Sequence, residues 1–92
     1  IKQDPLDAQS LLLLARYRVT EKRNQEAEML LQQAGRVEGH EYTAHIELAK
    51  LYVATTRYRD AVTQLDKALE ISSTKAIQTY RSAVARLVDA SE

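Results

Sequence analysis

The 92-residue sequence contains no cysteine, no tryptophan and no phenylalanine, one proline and two glycines. Without cysteine there are no disulfides and no thiolate chemistry, and the redox character of the compartment stays undetermined. Cytoplasm and periplasm are both open. With so little glycine there is no phosphate-cradling loop, and no nucleophile elbow is present. Net charge is missing as well: thirteen basic residues balance thirteen acidic ones. That balance argues against a nucleic-acid surface driven by bulk charge, and no nucleic-acid partner is expected. The longest apolar run, Leu11 to Ala15, is far too short to span a bilayer, and no signal-peptide pattern precedes it. Membrane insertion by this segment is not expected.

What the chain does have is helical periodicity. Between Glu41 and Thr55, Ile46, Leu48, Ala49, Leu51, Tyr52 and Val53 recur at three- and four-residue spacings, which places them on a broad helical stripe. Tyr58, Ala61, Val62, Leu65, Ala68, Leu69 and Ile71 follow with a narrower one-sided face. The intervening Ala54-Thr55-Thr56-Arg57 predicts a tight turn, because two adjacent threonines weaken a helix. Two antiparallel helices are expected here.

The rest of the chain repeats this pair. Ala15 and Ala49, Ala27 and Ala61, Leu31 and Leu65, Ala34 and Ala68, and Leu14 and Leu48 are each 34 residues apart. The same shift carries Ala49 to Ala83. Small residues at Ala15, Ala27, Ala49 and Ala61 permit a short distance between paired helices. The first helix is expected to start at Asp4-Pro5, with Asp7 adding charge to its first turn, and to run to about Lys22. Its four successive leucines, Leu11 to Leu14, make it apolar nearly all round, so it must be covered on more than one side. The second helix is expected over about 25–34, ended by Gly35 in a left-handed cap. Ser72-Ser73-Thr74 ends the fourth helix and caps a fifth, over about 75–90. That fifth helix serves as a cap or as the first half of a further repeat, and its polar flank, including Gln78, Ser82 and Asp89, favours the cap.

A helix-turn-helix period of 34 residues resembles the tetratricopeptide repeat family, whose spacing is Trp-x2-Leu-Gly-x2-Tyr, then Ala-x3-Phe, then Pro. The central copy follows it with His45, Leu48, Ala49, Tyr52, Ala61, Leu65 and Ser73. The first copy has Leu11, Leu14, Ala15, Arg18, Ala27, Leu31 and Gly39, and the third has Thr79, Ser82, Ala83 and Arg86. The family's tryptophan, glycine and proline are missing, and leucine replaces phenylalanine. The resemblance implies an all-α fold of antiparallel helical hairpins, stacked as a short right-handed solenoid of about five helices. It would form one domain over 1–92, with repeats at about 7–40 and 41–74 and a last helix at about 75–90. Ile1-Lys2-Gln3-Asp4-Pro5 suits the close of a preceding repeat, so the sequence is expected to be cut from a longer protein.

Catalytic, cofactor-binding and metal-binding residues are not expected. His40 and His45 are five residues apart and do not share a helical face as a zinc pair would; packing explains them better. Glu41 and His45 suit a local helix contact. The five tyrosines could stack bases in principle, but they suit core and groove packing better.

The family resemblance implies that first helices of successive repeats line a concave groove that takes a protein or peptide. Carried over, the groove positions are Gln9, Leu12, Leu13, Arg16, Val19 and Thr20; then Thr43, Ile46, Glu47, Lys50, Val53 and Ala54; then Ile77, Tyr80, Arg81, Val84 and Leu87. Aliphatics with Arg16, Lys50 and Arg81 suit a segment with apolar anchors and one or two acidic groups. About half of Leu12, Ile46, Val84 and Leu87 are expected to join neighbouring helices instead. A chaperone-tail clamp is disfavoured, since Leu12 and Arg16 occupy the first-repeat clamp positions and Glu47 stands where an asparagine is expected. The expected function is non-catalytic protein binding in this groove. The alternative is a structural or self-association element that packs its apolar first helix on another copy or a neighbouring domain.

Overall fold

The computed structural model describes residues 7–91. They form five helices: α1 (Ala8–Thr20), α2 (Asn24–Ala34), α3 (Glu41–Ala54), α4 (Tyr58–Ile71) and α5 (Lys75–Ser91). α1 pairs with α2 and α3 with α4, while α2 also meets α3 and α4 meets α5. The described chain measures 50 × 29 × 15 Å, so it is about two helices thick and grows along one axis by adding hairpins.

Alanine makes this stacking close. Ala15, Ala27, Ala34, Ala49, Ala61 and Ala68 are all buried, with Leu11, Leu31, Leu48 and Leu65 filling the space between. A methyl side chain lets paired helices approach nearer than two leucines would allow. Ala83, the third member of the Ala15 and Ala49 series, is exposed because no described helix lies over that side of α5.

The two hairpin turns are built alike. Lys22 and Thr56, which are equivalent positions, adopt positive φ of 62° and 61°. The Arg23 amide then reaches back to the Arg18 carbonyl at 2.8 Å, and the Arg57 amide to the Tyr52 carbonyl at 2.7 Å. With the Lys22 and Thr56 amides bonded to Val19 and Val53, each turn is a Schellman cap that satisfies carbonyls left over by the helix end. A left-handed residue in such a cap is usually glycine; here lysine and threonine fill the role.

The glycines behave differently from expectation. Gly35 ends α2 in right-handed geometry, φ −69° and ψ −13°, so the left-handed cap read there from sequence is corrected. Space is what calls for glycine at this point: a β-carbon would stand 3.3 Å from that of Ala44. Gly39, at φ +89°, takes the left-handed conformation instead. Asp7 is also reassigned. It is the N-cap of α1, its carboxylate accepting from the Ser10 amide at 3.2 Å, rather than a first-turn charge. The proposed start at Asp4-Pro5 lies outside the described residues. Thr74 caps α5 as expected, its hydroxyl accepting from the Ile77 amide.

Candidate partner groove

α1 and α3 lie side by side at their C-terminal halves and enclose a cleft of about 170 Å³. Its floor is apolar, made by Ala15, Leu31 and Leu51, and its rims are Arg16 and Val19 on one side and Glu47, Lys50 and Ala54 on the other. Five of the residues assigned to the groove from sequence, Arg16, Val19, Glu47, Lys50 and Ala54, are thus brought together. The volume is below the roughly 300–1,000 Å³ usual for a small-molecule pocket.

The rim electrostatics come from the repeat. The Arg16 guanidinium donates to Glu47 at 3.1 Å, bridging α1 and α3. Lys50 is the 34-residue counterpart of Arg16, and Arg81 is the counterpart of Glu47. Where Arg16 finds a carboxylate on the next hairpin, Lys50 would meet another cation. Arg81 instead donates to Asp66 of α4 at 2.7 Å, which pushes its pKa up. Lys50 is exposed and forms no ion pair among the described residues. It is an uncompensated cation beside an apolar cleft.

The other assigned positions fall elsewhere. Leu12 and Val84 are buried core residues and are not open to a partner. Ile77, Tyr80 and Val53 are half-buried against that core. Ile46 is half-buried, while Gln9, Thr43 and Leu87 are exposed outside the cleft. Leu13 and Thr20 face a separate depression on α1. Leu31 and Leu51, which form the cleft floor, were absent from the sequence-derived set because their apolar spacing marks them as core; only the stacking of two hairpins exposes their edges to the cleft.

His45 is tied into the scaffold as a structural residue, as expected, but not through Glu41. His45 Nδ1 lies 2.7 Å from Gln64 Oε1 of α4, and Glu41 accepts from the Gly39 amide, so the expected Glu41–His45 contact gives way to these two. His40 Nδ1 is buried without a hydrogen-bond partner. No grouping of residues able to hold a metal ion occurs among the described residues, and none of their helices is long and apolar enough to cross a membrane.

Stacked helical hairpins with an apolar, charge-rimmed cleft between successive first helices define a helical-repeat scaffold. A tetratricopeptide repeat family model matches residues 18–87, and the chain belongs to that family. Searches of curated proteins and of solved structures give no match. Repeats of this family generally mediate protein–protein interaction and are typically non-catalytic.

Proposed function

We propose that this chain is a non-catalytic binding module that takes a peptide or protein segment along the groove of α1, α3 and α5. Residues 7–40 and 41–74 are its two repeats, and 75–90 its terminal helix. The observation that carries this reading is the cleft beside Lys50: an apolar floor for an anchor side chain, next to a cation with no carboxylate of its own. Burial of the anchor supplies affinity, and an acidic group meeting Lys50 fixes register.

Peptides selected from a random display library on the intact chain test this. Those that bind should carry an apolar residue near an acidic one, and lose about tenfold or more in affinity with Lys50→Glu or Val19→Asp, both being exposed positions. Circular dichroism checks that the variants stay helical. Selected peptides that bind both variants as well as the parent would overturn the groove assignment.

A further inference from the structure

The joint between α1 and α3 and the joint between α3 and α5 are related by the 34-residue shift, and they differ in charge at one position. In the first, Arg16 on α1 meets Glu47 on α3 at 3.1 Å. In the second, the same two positions hold Lys50 on α3 and Arg81 on α5. The repeat thus sets two cations where a cation and a carboxylate would close the joint. α3 after Glu47 and α5 before Asp89 contain no other carboxylate, so neither helix offers a replacement.

Relief comes from a third helix. Arg81 donates to Asp66 on α4, Nε to Oδ1 at 2.7 Å and Nη2 to Oδ2 at 3.5 Å. The first hairpin has Gln32 at the position of Asp66, so the carboxylate occurs only where the extra cation does. The side chains of this pair are 39% and 48% exposed, so solvent screens the attraction and parting them costs little. Lys50 forms no ion pair among the described residues. An anion held between Lys50 and Arg81 would be attracted by both and would remove their mutual repulsion.

We infer that Lys50 and Arg81 together form a site for a phosphorylated side chain of the groove's partner, with Asp66 holding Arg81 in reserve while the groove is empty. This rests on the groove reading above and names the chemistry of what that groove takes. The presence of Asp66 decides between phosphate and carboxylate. A ligand carboxylate that drew Arg81 off Asp66 would exchange one carboxylate for another and gain little, so a glutamate is read by Lys50 alone. A phosphate carries a charge of about −1.5 to −2 at neutral pH and presents three acceptor oxygens. It more than offsets the lost contact with Asp66, taking the Lys50 ammonium as a point charge and the planar Arg81 guanidinium as a two-pronged donor.

The probe is a pair of synthetic peptides drawn from the acidic binders selected above, identical except that the acidic residue is glutamate in one and phosphoserine in the other. Both are titrated into the intact chain by calorimetry. The phosphoserine peptide should bind about tenfold tighter than its twin. Arg81→Gln should remove that advantage and leave the glutamate peptide within about twofold of its parent affinity, a split that a merely structural role for Arg81 would not produce. Asp66→Asn, which releases Arg81, should widen the advantage, and Lys50→Glu should weaken both peptides. Equal affinity of the two peptides for the parent chain, or an advantage that survives Arg81→Gln, overturns the phosphate site and leaves the groove in place. An advantage that Asp66→Asn fails to widen overturns the reserve role of Asp66. Binding of both peptides untouched by Lys50→Glu overturns the groove reading and this site with it.

Discussion

The first and central hairpins are nearly the same object in different surroundings. Both pair helices through buried alanines, both turn through a left-handed non-glycine residue, and both place an arginine after that turn with an acid three residues on. They differ in what lies against the first helix. α3 has α2 beside it, so Leu48, Leu51 and Tyr52 are core; α1 has no such neighbour among the described residues, so Leu14 and Tyr17 are surface. In a stacked array, burial is therefore a property of position in the stack as well as of residue type.

The largest test of that difference is a pair of truncations. Leu48→Ala should cost about 3 kcal/mol of unfolding free energy, since it removes a buried side chain from a site flanked on two sides by helices. The equivalent Leu14→Ala should cost less than about 1 kcal/mol. Urea unfolding followed by circular dichroism measures both. Equal losses would mean that α1 is covered in solution.

A smaller effect separates Tyr52 from its counterpart Arg18. Burial, followed by the hydrogen bond to Glu28, pushes the Tyr52 pKa up from its ordinary 10 to about 12. The folded state thus keeps a proton that the unfolded chain loses. The resulting stabilisation is fully present below pH 10 and is lost as pH rises toward 12, by about 1–2 kcal/mol. Tyr52→Phe should flatten most of this slope. Burial also pushes the Tyr80 pKa up, which leaves a residual slope in that variant.

Much of this contrast could be read in the sequence, and the rest could not for identifiable reasons. Helix positions followed from three- and four-residue spacing, and the buried alanines from their shared offset. The turns hid their geometry because lysine and threonine at positive φ are chosen by the Schellman hydrogen bonds and not by local preference, while Gly35 was needed for space. Leu12 and Val84 look like groove residues by family position, yet core packing claims them. Arg81 was assigned to the groove because nothing local in its own helix reveals the pull of Asp66, fifteen residues earlier on α4.

The turns allow a finer comparison. Thr56 and Lys22 share the same left-handed φ, but threonine is β-branched and more crowded there. Thr56→Gly should stabilise the chain by about 1 kcal/mol, and Lys22→Gly by about half of that, the flexibility of glycine in the unfolded chain offsetting part of each gain. Thermal melts of the two variants rank them. The opposite ranking would show that the Thr56 side chain contributes more through its contacts than it costs in strain.

The smallest effect on stability is expected at the groove cation Arg16, whose partner Glu47 is replaced by Arg81 one repeat on. Arg16→Ala removes a solvent-exposed ion pair and should change stability by less than about 0.5 kcal/mol, an amount that shrinks further in high salt. Arg81→Glu would place opposite Lys50 the kind of carboxylate that Glu47 offers Arg16. It also breaks the exposed contact with Asp66, so a loss of about 0.5–1 kcal/mol is expected. Its effect on selected acidic peptides should be larger than its effect on folding, because it neutralises the cation they need. A peptide affinity unmoved by Arg81→Glu would mean that Lys50 is not what the partner reads, and that the difference between the two hairpins in this groove has no bearing on binding.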